Sequence, residues 1–270
     1  MLDVVEVHDP ADPRIADYVG LRDGRESAVV IVEGPTALDE MAGSAYPIRS
    51  VLCLPKRLER VRAALGPLTP PVYVADEPVL RATVGFDLHR GVVASADRIA
   101  EPDVASVLAS ARTILIVEEL NDHENLGGLF RNARGLGADA VLLDPRTADP
   151  LYRRAVRVSM GHVLRVPFAR LAPWPDALRS VVAAAGFTVV ALTPAGDVAL
   201  GDARREEARL GDKVALVVGS EGPGLSAGAL AVADVRARID MAAGVDSLNV
   251  ATAAAVALFA LRSARVSPRT

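Results

Sequence analysis

The reading of this chain is decided by residues 214–250, VALVVGSEGPGLSAGALAVADVRARIDMAAGVDSLNV. The run Val214–Val218 is continuously apolar and rich in β-branched residues, as in a strand buried on both faces of a parallel sheet. It breaks off in Gly219-Ser220-Glu221-Gly222-Pro223-Gly224, where glycines permit positive φ and let a ligand approach bare backbone. Open α/β sheets place their ligands at such carboxyl-end loops. Arg238–Met241 reads as the close of another strand, and Ser247-Leu248-Asn249 opens an apolar helical run to about Ser263, with Ser247 expected as its N-cap. Glu221 sits in a turn where packing calls for no carboxylate, and Asn249 in an otherwise apolar helix. Neither the dinucleotide-binding glycine spacing nor a phosphate loop ending in Lys-Ser/Thr is present, so the ligand is expected to be of another kind.

Working outward, about ninety residues upstream stands Asn125-Leu126-Gly127-Gly128-Leu129-Phe130-Arg131-Asn132-Ala133. This N-x-G-x-x-x-R run, followed by GSEGPGLS and I-x-M-x-x-G-x-x-SLNV, resembles the three ordered motifs of the SpoU (TrmH-like) branch of the SPOUT RNA methyltransferases. The resemblance extends from about Arg112 to the C-terminus. Asp240 departs from the pattern, standing where that family often has proline.

Composition sets the class. At 270 residues, 51% apolar and 24% charged, the chain has room for two modest cores. One cysteine, Cys53, lies in an apolar run, which excludes a disulfide framework and suits a reducing cytoplasm. No signal peptide is read, and the longest apolar stretch, Val250–Leu261, is shorter than the about 20 residues a bilayer demands. The histidines His8, His89, His123 and His162 are dispersed, so no metal site is expected. The net charge of −4 counts against a nucleic-acid partner, yet residues 131–170 carry eight arginines against three aspartates, an arginine-rich stretch suited to forked phosphate contacts.

Taken in order, residues 1–97 alternate strand and helix signals, giving a compact β/α domain. Residues 98–110 read as a linker containing Pro102. From 111 onward a strand at Ile114–Val117 leads into a polar turn, Asn121–Gly128, placing Asn125 as a cap for a helix Leu129–Leu136; strand Ala140–Leu143, an arginine-rich helix Pro150–Met160, strand Val163–Val166, helix Pro175–Ala185 and strand Thr188–Leu192 follow. The last strand ends in the turn Thr193-Pro194-Ala195-Gly196, and a charged segment Asp202–Arg209 precedes the deciding stretch. The fold class is thus α/β: a small N-terminal domain and a C-terminal parallel sheet with helices on both faces.

The resemblance implies more. It implies a deep trefoil knot in the C-terminal domain, an α/β/α RNA-binding domain of ribosomal-protein type over 1–97 with contacts near Glu33-Gly34-Pro35 and His89-Arg90, a homodimer, and bent S-adenosylmethionine held by main-chain atoms. Gly219, Ile239 and Leu248 are then cofactor contacts, with Leu192, Thr193, Gly196, Val218 and Met241 behind them. The implied activity is methyl transfer to a ribose 2′-hydroxyl of RNA, ribosomal RNA being favoured; transfer RNA and a non-catalytic RNA-binding role are the alternatives. Arg131 is the family's proton acceptor, but a guanidinium with a pKa above about 12 is a poor base and is better suited to gripping phosphate and a developing alkoxide. Asn125, Glu221, Ser247 and Asn249 would orient the reacting groups.

Overall fold

The computed structural model describes residues 2–21, 28–200 and 210–263. The expected charged segment 202–209 lies outside them. The chain divides into two compact units, one formed by Met1–Ala100 with Pro150–Arg165, the other by Glu101–Asp149 with Val166–Thr270.

In the first unit the order is β1 (Val4–Glu6), a 3₁₀ turn Pro13–Tyr18, β2 (Val29–Glu33), α1 (Pro35–Ala42), β3 (Ile48–Cys53), α2 (Leu58–Leu65), β4 (Val72–Val74), α3 (Glu77–Val84) and β5 (Val92–Asp97). The five strands stand in the order β1-β4-β3-β5-β2, parallel at β1/β4 and β4/β3 and antiparallel at β3/β5 and β5/β2. Asp12 and Asp76 start their helices by accepting N–H bonds from Arg14 and Val79, each with a proline at the first turn. The core buries Tyr18 against Leu52, Leu80, Val84 and Val93. Its hydroxyl meets Ser50 at 2.7 Å and Ser95 at 3.3 Å, so the buried polar groups satisfy one another. Burial pushes the Tyr18 hydroxyl above its ordinary pKa. Burial likewise pushes the Cys53 thiol up to about 12.

The second unit starts with α4 (Val104–Ser110), capped by Asp103. The expected linker is therefore half helix: Val107 and Leu108 enter the core, giving the segment a packing reason to order. There follow β6 (Thr113–Glu118), α5 (His123–Leu136), β7 (Ala140–Leu143), α6 (Arg153–Val158, in the segment that belongs to the first unit), β8 (Phe168–Arg170), β9 (Phe187–Leu192), β10 (Val198–Ala199), β11 (Lys213–Gly219), α7 (Ala227–Val232), β12 (Val235–Arg238) and α8 (Val250–Ser263).

Several boundaries differ from the sequence reading. The helix expected at Leu129 begins at His123, because Asp122 rather than Asn125 caps it, accepting the Asn125 N–H at 2.7 Å. The glycines that suggested a turn sit inside this helix; Gly128 gives close approach, as a Cβ there would lie 3.0 Å from that of Ala251. The arginine-rich helix shrinks to Arg153–Val158. The strand expected at Val163–Val166 is a 3₁₀ turn at His162–Leu164, with β8 following beyond Pro167. The helix expected over Pro175–Ala185 is a wide π-helical segment at Leu178–Ala183.

All seven strands of this unit run parallel, in the order β10-β12-β9-β11-β6-β7-β8. One face packs Ile114, Ile116, Leu142, Val189, Ala215 and Val217 against α4, the π-helical segment and α7. The alternate residues Leu115, Val117, Val141, Leu216 and Val218 are equally buried, on the face carrying α5 and α8. Burial on both faces explains the unbroken apolar runs. The order of connections reverses around β6 and β11, a switch point whose carboxyl end is where such sheets bind ligands.

Two expectations follow. Leu216→Ala in the central β11 should destabilise the protein by roughly 2–5 kcal/mol in urea unfolding. Cys53 should resist a disulfide-exchange thiol reagent at pH 8 until denaturant is added.

Candidate active site

The ladder sets the site. It pairs Glu118 of β6 with Gly219 of β11, Ala191 of β9 with Val217, and Leu192 with Ala237 of β12. The four strands therefore end side by side and release their loops into one region.

After β9, the Thr193 N–H donates to the Ala237 carbonyl at 2.9 Å, and the Gly196 N–H closes the turn onto Thr193 O at 3.0 Å. Gly196 is buried with its Cα against the Ala237–Arg238 backbone, where no Cβ fits. After β11, the Gly224 N–H reaches back to Ser220 O at 3.1 Å, with φ of 87° at Gly222 and 70° at Gly224. Both values favour glycine, and Gly219 is again too close to the Gly224–Leu225 backbone for a side chain. This loop holds Glu221 in solvent. It ends at Ser226, which caps α7 by accepting the Ala229 N–H at 3.1 Å.

The three motifs meet at Asn249. Its amide nitrogen donates to Asn125 Oδ1 at 2.6 Å and to Glu221 Oε1 at 2.7 Å. Its amide oxygen accepts from the Ala251 and Thr252 N–H groups at 3.1 and 3.2 Å. Asn249 is thus the N-cap of α8, the role expected of Ser247, because an amide can cap and donate at once. Ser247 is exposed and makes no side-chain hydrogen bond with the described residues. Arg131 lies six residues beyond Asn125 on α5, about 120° around the helix, exposed and with no ion pair to the described residues. Asn132, seven residues on, shares the Asn125 face and donates to Ala251 O at 2.7 Å.

The expected cofactor residues line the strand ends. Val218 is buried, Gly219, Leu192 and Thr193 are half-buried, and Leu248 is 37% exposed. Ile239 and Met241 lie beyond β12, not within a strand: β12 ends at Arg238, whose side chain turns back to the Gly196 and Asp197 carbonyls.

Sequence reasoning passed over Glu118. The residue is 1% exposed. It accepts from Trp174 Nε1 at 2.5 Å and from the Ser226 N–H at 2.8 Å, tying the exit of the Gly219–Gly224 loop to β6. A carboxylate closing an apolar strand was the available signal, since buried acids are retained where donors converge.

The family model of the SpoU rRNA methylases matches residues 112–259, the span containing the Asn125, Glu221 and Asn249 cluster. The chain belongs to this family. An uncharacterised tRNA/rRNA methyltransferase of Mycobacterium tuberculosis is 47% identical over 266 residues, covering 96% of this chain and 91% of that protein. The 23S rRNA (guanosine(2553)-2′-O)-methyltransferase of Bacillus subtilis is 33% identical over 157 residues, covering 57% of this chain and 60% of its own. Among solved structures, an AdoMet-bound rRNA methyltransferase from Sinorhizobium meliloti superposes with a TM-score of 0.78 at 27% identity, covering 98% of this chain and 99% of that one.

Glu118→Ala would strand the Trp174 and Ser226 donors. The variant should lose about 3 kcal/mol in denaturant unfolding, and Glu118→Gln, keeping one acceptor oxygen, should lose less.

Proposed function

We propose that this protein transfers a methyl group from S-adenosylmethionine to a ribose 2′-hydroxyl of RNA, with ribosomal RNA as substrate. The single observation that carries the reading is the Asn249 amide, which fastens Asn125 and Glu221 into one polar cluster beside the strand ends. The 2′-O-methyltransferase activity of the Bacillus subtilis relative supports ribose as the acceptor.

The residues present suit the methyl donor. Leu192, Ile239, Met241 and Leu248 offer partly exposed apolar surface, and the main-chain groups of Met241 and Leu248 make no hydrogen bond with the described residues. An adenine calls for a flat apolar slot with a few backbone donors and acceptors. When bound, the donor supplies an electrophilic sulfonium methyl. Everything else falls to positioning. Arg131, exposed and with no ion pair to the described residues, grips the phosphate of the target nucleotide and stabilises the developing alkoxide as the 2′-hydroxyl releases its proton to solvent. Asn125 and Glu221 orient the ribose, and Asn249 orients them both. Ser247, exposed beside them, is a further polar contact for RNA.

Residues 1–97 act as the RNA substrate-binding domain, and the enzyme works in the cytoplasm as a homodimer. Val256 and Phe259 support the dimer: three residues apart on α8, they are 41% and 62% exposed, an apolar pair on its outer side that a second copy would cover. No helix among the described residues is long and apolar enough to cross a membrane.

The test is transfer of labelled methyl to total RNA from cells lacking the protein, split into ribosomal and transfer RNA. Label is expected in ribosomal RNA and should survive alkali as a dinucleotide. Arg131→Ala should abolish turnover, by at least about 100-fold, while donor affinity in calorimetry stays unchanged; loss of both would overturn its role. Label in transfer RNA would move the substrate assignment, and donor binding with no label in either would favour an RNA-binding protein.

A further inference from the structure

Two of the loops that form the proposed donor slot are joined through one guanidinium. Arg238 closes β12. Its Nη1 donates to Gly196 O and Asp197 O, both at 3.1 Å, and its Nε donates to Asp240 Oδ1 at 2.8 Å. One side chain thereby spans the turn after β9 and the first residues of the loop after β12. The turn has little freedom to accommodate a change, since Gly196 already rests on the Ala237–Arg238 backbone.

Asp240 is the second residue after Arg238, at the start of the loop that leaves β12. A proline there would fix φ through its ring and set the direction of the chain leaving β12. An aspartate imposes no such restriction by itself. Here its carboxylate folds back two residues onto Arg238, which restrains the backbone at 240 and also turns the Arg238 fork towards the two carbonyls. Both side chains are partly in solvent, at 37% and 63% exposure, so the attraction between them is open to salt screening.

We propose that Arg238 and Asp240 form a positioning pair that sets the width of the donor slot, an ionic restraint on the backbone of the kind a proline ring would give covalently. Neither residue contacts the donor. Asp240 holds Arg238, Arg238 holds the Thr193–Asp197 turn, and the slot between that turn and Ile239–Leu248 takes its shape from the result. This rests on the reading of these loops as the S-adenosylmethionine site.

The test is calorimetric titration of S-adenosylhomocysteine, without RNA, into wild type, Asp240→Ala, Asp240→Pro and Arg238→Ala. Each titration is run at low salt and at about 0.5 M salt, where the Debye length falls to about 4 Å. The ligand is a zwitterion with no net charge, so the part of the salt effect that disappears in Asp240→Ala reports the protein's own pair. Wild type should bind several-fold more weakly at high salt. Asp240→Ala should bind about fivefold more weakly at low salt, the scale of an exposed pair, and show no salt effect. Arg238→Ala, losing two carbonyl bonds as well, should lose about tenfold or more. Asp240→Pro should recover wild-type affinity and be insensitive to salt. In methyl transfer the alanine variants should raise KM for the donor and leave kcat nearly unchanged. Wild-type affinity in both alanine variants, or an Asp240→Pro protein as weak as Asp240→Ala, overturns the proposal. Failure of wild type itself to bind would instead overturn the reading of the site.

Discussion

The parallel ladder through β12, β9, β11 and β6 is the constraint on which the rest depends. Its register puts Ala237, Leu192, Gly219 and Glu118 at the ends of neighbouring strands, so loops far apart in sequence emerge together. Parallel strands cannot be joined by tight hairpins. Each return crosses a face of the sheet, covering both faces with helices and leaving the carboxyl edge for polar side chains. The apolar runs and the polar cluster are two results of one arrangement.

On that edge the polar groups are arranged so that each bond serves two elements. Asn249 caps α8 with its oxygen and holds Asn125 and Glu221 with its nitrogen. Glu118 braces Trp174 with one oxygen and the start of α7 with the other. Arg238 joins two loops. Side chains with this many fixed partners have few alternative rotamers, which is how a protein holds reacting groups in place without rigid covalent links.

How much of this could be read in the sequence depended on the range of the signal. Strand β11 and the glycine loop after it were legible because burial on both faces and the close approach at Gly219 are local demands on residue type. Asn125 was marked by its motif and read as the cap that Asp122 supplies, whereas Glu221 and Asn249 were legible because they interrupt patterns that packing alone would keep apolar. The start of α5 was not, since Gly127 and Gly128 look like a turn until Ala251, more than a hundred residues later, supplies the reason for a small residue. The cap of α8 went to Asn249 over Ser247, a choice local propensity leaves open. Glu118, Trp174 and Arg238 stayed hidden because their partners lie far along the chain or are backbone carbonyls, which carry no sequence mark.

The cluster also has a biosynthetic side. Asn125 meets Asn249 across 124 residues, Asn132 meets Ala251 across 119, and Glu118 meets Ser226 across 108. Chains dominated by such distant contacts fold slowly, because loop-closure entropy is lost before the contacts repay it. As the chain leaves the ribosome, β6 and α5 emerge with one polar face waiting for a helix still to be synthesised. A chain cut short between Ser226 and Asn249 therefore carries the first two motifs and no assembled site, so such a prematurely ended product is inert by construction.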